Sequence, residues 1–279
     1  MTRVPFYQFD AFASRAFQGN PAAVCLLPAE RGWPADALLQ KIAFENNLSE
    51  TAFVLVAAGP SLGPMGLRWF TPKVEIDLCG HGTLATAAAL RVHFGGGERW
   101  EFETRSGKLV VDWRGDELEL NFPRRELARL PGLPTEAVNA LGEAASQVRE
   151  VWQWKKDAVI AVFAQAAQVC GLTVDGEKLL SLGQSLCVTG PGDEVDYVLR
   201  YFASHEGIVE DPVTGSAQCY LAPYWGERLG KARLLARQVS ERGGELTCRL
   251  LPENRLGIAG KAHLIIRGEF YLPADDGTH

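Results

Sequence analysis

Apolar residues gather in short runs rich in β-branched, aromatic and aliphatic side chains, each closed by turn formers. The pattern predicts strands over residues 4–9, 22–27, 51–56 and 66–70. Between the second and third of these the period changes. Over residues 35–46, Leu38, Leu39, Ile42 and Ala43 recur at helical spacing, and the pattern stops at Asn46-Asn47. Residues 109–122 alternate apolar and polar side chains on either side of Arg114-Gly115-Asp116, as a hairpin does.

Self-comparison exposes an internal repeat centred on two glycines. One copy reads Asp77-Leu78-Cys79-Gly80-His81-Gly82-Thr83, the other Pro212-Val213-Thr214-Gly215-Ser216-Ala217-Gln218. Each leads into a helical run, residues 84–94 and 219–229, closed by Gly95 and Gly230. In both copies the closing glycine stands 15 residues after the turn glycine. Further on, Arg105-Ser106-Gly107-Lys108-Leu109 matches Glu241-Arg242-Gly243-Gly244-Glu245-Leu246, and both continue into strands. Taken singly, either turn is an ordinary loop-to-helix connection. Taken together they predict two half-molecules of one architecture, whose equivalent helix N-termini would face each other across the junction where ligand sites form. Free N–H groups and positive dipole ends there suit an anion such as a carboxylate.

A chain of 279 residues, 47% hydrophobic, has the length for two ordinary domains. We expect residues 1–122 in the first and 123–279 in the second, with the last strand free to return to the first half. Residues 123–134, rich in Pro, Arg and Leu, would make the crossing. A net charge of −6 with interspersed signs and no Lys/Arg run excludes the basic footprint of a nucleic-acid binder. No segment approaches the roughly 20 apolar residues of a membrane span, and no signal-like stretch opens the chain, so a soluble cytoplasmic protein is expected. The cysteines Cys25, Cys79, Cys170, Cys187, Cys219 and Cys248 stand singly, without the C-x-x-C spacing of a zinc or redox site, and reduced thiols follow.

In Phe17-Gln18-Gly19-Asn20-Pro21-Ala22-Ala23-Val24, Asn47-Leu48-Ser49-Glu50-Thr51-Ala52-Phe53 and Arg68-Trp69-Phe70-Thr71-Pro72, the chain resembles the phenazine-biosynthesis (PhzF-like) family. The likeness continues in Asp77-Leu78-Cys79-Gly80-His81, Asp196-Tyr197-Val198-Leu199-Arg200-Tyr201-Phe202, Glu210-Asp211-Pro212-Val213-Thr214-Gly215-Ser216-Ala217 and Gln238-Val239-Ser240-Glu241-Arg242-Gly243-Gly244. It implies the α+β fold of diaminopimelate epimerase: two similar, pseudo-twofold related halves, each a curled, largely antiparallel sheet wrapped around a central helix beginning near Gly80 or Gly215. It also implies a cofactor-independent isomerase of small carboxylate-bearing metabolites, often a homodimer. By motif, Glu50 would move the proton, supported by His81, Asp211 and Ser216, while Asn20, Gly80, Gly82, Gly215, Ser216 and Ala217 would bind substrate.

The residues themselves support parts of this assignment. Glu50 opens a strongly apolar strand, where burial suits a carboxyl group that both takes and returns a proton. A solvated carboxylate at a strand edge is the plainer alternative. His81, at a helix start, is expected neutral because the dipole disfavours imidazolium. Asp211 partners His81 or substrate, or is simply a turn residue before Pro212. Ser216 caps its helix or meets a carboxylate.

Diaminopimelate epimerase carries one cysteine in each half. Here Cys79 holds the first position and Pro212 is taken as the second, which disfavours a two-thiol racemase. Cys79 is then either a small buried turn residue or a base partnered with Glu50, its thiolate favoured by the helix N-terminus. Ala commonly stands at Gly82 in the family and His at Gln218. No G-x-x-x-x-G-K-[ST] or H-E-x-x-H occurs, and no cofactor or metal is expected.

Overall fold

In the computed structural model, which describes residues 2–57, 59 and 63–272, the first apolar run becomes strand β1 (Thr2–Ala11), antiparallel to β2 (Asn20–Pro28). Helix α1 (Asp36–Asn46) follows, ending on Asn47 in the left-handed conformation, and the chain enters β3 (Glu50–Val56), parallel to β2. β3 pairs antiparallel with β4 (Met65–Phe70), which in turn pairs with the short β5 (Glu75–Ile76). Helix α2 (Gly80–Phe94) leads to β6 (Arg99–Thr104), parallel to β4, and then to the meander of β7 (Gly107–Arg114) and β8 (Glu117–Pro123). The β7–β8 hairpin turns at Gly115, whose φ of 67° a side chain would resist.

β2 and β3 read as continuous apolar runs because both faces are covered. Cys25, Leu27 and Phe53 pack with Leu39, Ile42 and Ala43 of α1. The intervening Val24, Leu26, Ala52 and Val54 are equally buried, and α2 lies against β1, β2 and β3. Fully burying each such Val, Leu or Phe contributes about 1.5–3 kcal/mol. Residues 81–90 of α2 are buried all round, and the small side chains of Ala85, Ala87, Ala88 and Ala89 let the strands approach a helix that has no solvent face there.

The second unit repeats this wiring. It contains β9 (Ala128–Leu130), α3 (Thr135–Leu141), β10 (Glu150–Trp154), β11 (Ala158–Val162), α4 (Ala166–Cys170), α5 (Gly176–Leu179), β12 (Ser185–Pro191), β13 (Tyr197–Ala203), β14 (Ile208–Asp211), α6 (Gln218–Leu229), β15 (Arg233–Gln238), β16 (Gly244–Leu251) and β17 (Arg255–Gly260). β10 pairs antiparallel with β11, β11 parallel with β12, β12 antiparallel with β13, and β13 antiparallel with β14 and parallel with β15; the β15–β16–β17 meander follows. Strand for strand, this is the pairing of β1 to β8. The repeat extends to side chains. Arg68 on β4 forks onto Glu75 of β5 and lies over Phe70, and Arg200 on β13 forks onto Glu210 of β14 and lies over Phe202.

The final strand, β18 (Ala262–Leu272), pairs antiparallel with β1 along its length. The units are therefore residues 2–121 with 260–272, and residues 122–259. The last strand thus stands with the first unit, the return that the sequence left open, because the apolar edge of β1 takes β18 as its partner. Among the described residues no helix is long and apolar enough to cross a membrane.

Candidate active site

The first turn of α2 is built around sulfur. Cys79, extended at φ −138°, is the N-cap, and its Sγ accepts from the Gly82 N–H at 3.2 Å. The hydroxyls of Thr83 and Thr86 donate back to the carbonyls of Cys79 and Gly82 at 2.6 and 2.7 Å, tightening the turn. Gly82 is required by space. A Cβ there would lie 2.9 Å from both Cys79 Sγ and Trp69 Cδ1, so the position that is often Ala in the family needs Gly while the sulfur and indole keep these places.

Glu50 reaches the same spot from the start of β3, beside Ala22 of β2. The left-handed Asn47 ends α1 and turns the chain toward β3, and Asn46 Nδ2 donates to Thr51 Oγ1 at 3.0 Å. The Glu50 carboxylate Oε2 lies 2.6 Å from His81 Nε2, each side chain 10% exposed. The contact is a close ion pair that is not aligned as a hydrogen bond, and Oε2 has no other donor. Cys79 Sγ stands 3.7 and 3.8 Å from the two ring nitrogens of His81.

This environment runs against the neutral imidazole expected for His81 and bears on the two readings left open for Cys79. Burial alone would lower the His81 pKa, but Cys79 and Glu50 outweigh it and hold the imidazole well above its ordinary value. A carboxylate in contact favours the charged ring and so opposes the neutral form expected from the helix dipole. The Cys79 thiol is pushed up by burial and by the Glu50 charge, despite its place at a helix N-terminus. The His81 ring and the Gly82 N–H act in the opposite direction, toward the thiolate.

The other expected residues sort as follows. Asn20 is fully buried at the start of β2, opposite Ala11. It follows Gly19, whose φ of 73° and closeness to the Ala11 carbonyl admit no side chain. Gly80 is the first residue of α2 and faces open space.

In the second unit, Asp211 Oδ2 accepts from Thr214 Oγ1 at 2.5 Å. Helix α6 begins at Gln218, not at Gly215. Gly215, Ser216 and Ala217 form a tight turn before it, with i to i+3 bonds from Gln218, Cys219 and Tyr220. Ser216 is exposed and does not cap the helix, so the capping expectation fails: Ala217 holds that place without a side-chain bond.

The residue immediately before Gly215, as Cys79 is before Gly80, is Thr214. Thr214 and not Pro212 is therefore the counterpart of Cys79, and the second unit still offers no thiol there.

Three residues went unassigned in the sequence. Trp69 walls the sulfur, and its buried Nε1 has no acceptor. Gln238, fully buried, ties the second turn by accepting from the Thr214 N–H at 2.8 Å and donating to the Asp211 carbonyl at 2.6 Å. Gln218 accepts from Tyr197 and donates to the Thr214 carbonyl. Each stands in or beside a quoted motif, and that was the only signal.

Comparison with known proteins adds to this geometry. The family model described as phenazine biosynthesis-like protein matches residues 9–268. Two Pseudomonas aeruginosa proteins, each named uncharacterized isomerase, are 44% and 45% identical, covering 95% and 97% of this chain and 98% and 99% of theirs. A human phenazine biosynthesis-like domain-containing protein is 36% identical over 95% of this chain and 98% of its own. An Enterococcus faecalis structure described as a phenazine biosynthesis protein of the PhzF family is 42% identical with a TM-score of 0.87, covering 97% of this chain and 100% of its own. A hydroxyproline epimerase from Agrobacterium vitis, at 13% identity and TM-score 0.57 over 96% of this chain and 92% of its own, shares the fold.

Proposed function

This chain belongs to the phenazine biosynthesis-like (PhzF) family, and from that premise we propose that it is a cofactor-independent isomerase that moves a proton on a small carboxylate-bearing metabolite. The observation that carries the reading is the buried contact of Glu50 with His81 at 2.6 Å. Glu50 takes the proton from an acidic carbon of the substrate and becomes a neutral acid. The electron pair left behind delocalises onto the substrate, and the adjacent imidazolium offsets the charge that has moved there. Returning the proton to a different carbon completes the isomerisation and restores Glu50.

A second reading is favoured by Cys79 Sγ, 3.7 Å from the same imidazole. A thiol there can give a proton where Glu50 takes one, and inversion of a stereocentre would follow only if the substrate carbon enters between the two groups, which lie within 4.8 Å of each other and must then part. The names of the Pseudomonas aeruginosa relatives support an isomerase of either kind.

The test is incubation with pooled small carboxylic and amino acids in D2O, read by mass spectrometry. Label that depends on the enzyme and disappears in Glu50→Gln supports proton transfer, and chiral analysis of the labelled acid separates shift from inversion. Full activity of Glu50→Gln removes the assignment. Tight binding without label favours a protein that holds such a ligand and does no chemistry on it.

A further inference from the structure

β18 (Ala262–Leu272) lends one edge to the first unit, where β1 pairs along it. Among the described residues no strand pairs along its other edge. The outer side is bare: Leu264, Ile266, Arg267, Gly268, Glu269 and Tyr271 are exposed, and a Cβ at Gly268 would meet nothing within 4 Å. The matching edge of the second unit is β9, which pairs with β10 as β18 does with β1 and stops after three residues. Shortness is a common guard against pairing with another chain, and β18, at 11 residues, lacks it. We propose that β18 pairs antiparallel with β18 of a second copy about a twofold axis at Gly268, so that the chain forms a homodimer joined edge to edge.

The strand is self-complementary about that point. Beyond the register shift between Gln8 and Phe9, residues 266–272 pair with β1 in unbroken register and offer a straight edge. An axis normal to the sheet sets each residue opposite one on the same face, so the centre falls on a residue. Centring on Arg267 or on Glu269 would set that charge directly against its own copy. Centring on Gly268 sets Arg267 of one protomer against Glu269 of its partner, twice over. On the other face it sets Ile266, 47% exposed in one copy, against Phe270. Opposite charges and aromatic–β-branched neighbours are the cross-strand pairs that favour an antiparallel ladder.

Both charges are available for this. Glu269 meets Arg3 at 3.5 Å and the Tyr271 hydroxyl at 3.3 Å, all at the surface, and the Arg267 guanidinium lies 6.0 Å over the Tyr7 ring. The outward N–H and C=O groups of the strand, left to water in one copy, meet those of the other.

None of these side chains belongs to the proposed active site, so the dimer and the isomerase can fail separately. Sedimentation velocity of the full chain over a range of concentrations is expected to show a dimer. Arg267→Glu alone and Glu269→Arg alone each set like charges opposite one another twice, and each weakens the dimer by about tenfold or more. An equimolar mixture of the two variants restores it, because every Glu then faces an Arg. Residues directly opposite in an antiparallel pair have Cα atoms about 4.5–5.5 Å apart, within reach of a disulfide. Gly268→Cys, combined with Cys170→Ser to remove the one exposed thiol, should therefore cross-link on mild oxidation. Tyr271→Cys in the same background should not, because its two copies stand about 20 Å apart in this register. Circular dichroism checks the fold of each variant. A monomer at every concentration, a dimer that neither reversal weakens, reversals that the mixture does not rescue, or a Gly268→Cys variant that cross-links no faster than Tyr271→Cys overturns the proposal.

Discussion

His81 Nε2 lies 2.6 Å from Glu50 Oε2, joining the first residue of β3 to the second residue of α2 in a buried ion pair. Replacing Glu50 by Gln keeps the volume and removes the proton acceptor. Isotope exchange with any substrate found should fall by about 10²–10⁴-fold, while the circular dichroism spectrum stays that of the parent.

The pair also ties stability to pH. The His81 pKa is raised in the folded chain, against about 6.5 unfolded. Its stabilising contribution is fully present below the unfolded value and is lost as pH rises through the folded one. The unfolding free-energy difference between parent and His81→Gln should be larger at pH 6 than at pH 9. Equal differences at both would contradict the assigned charge state.

Gly82 and Gly80 should respond oppositely to alanine. A methyl at Gly82 meets Cys79 Sγ and Trp69 Cδ1 at 2.9 Å, whereas one at Gly80 meets nothing within 4 Å. Urea titration should show Gly82→Ala destabilised by about 1–3 kcal/mol, the usual cost of overpacking. Gly80→Ala should be neutral or stabilised by up to about 1 kcal/mol.

Gln238 holds the second turn from β15. Gln238→Leu keeps an apolar volume but leaves the Thr214 N–H without the Gln238 acceptor. A loss of about 1–3 kcal/mol is expected for that buried donor alone, read from the denaturation midpoint. Gln238→Glu, which keeps an acceptor, should recover part of it.

Much of this was legible in the sequence because it depends on local pattern. The repeat around Gly80 and Gly215 carried the two helices and their glycine ends, and the alternation around Gly115 gave the hairpin. The motifs brought Glu50, Cys79 and His81 into one group. What escaped depends on distant neighbours. The charge on His81 is set by a residue 31 positions earlier in the chain, which a helix-start argument does not see. Gln238 resembles any polar strand residue until its partners, 24 and 27 positions away, are known. A capping role for Ser216 requires the helix to start beside it, and the start at Gln218 with Ala217 before it leaves no such place.

The return of β18 to β1 bears on synthesis. Residues 122–259 are contiguous, so the second unit has all its strands once its own stretch has left the ribosome. β1 precedes that stretch and has β2 beside it early, but its second neighbour, residues 262–272, emerges only after the second unit. A chain cut short after the second unit would therefore carry a finished C-terminal body and an N-terminal sheet with one bare edge, open to pairing with a stranger.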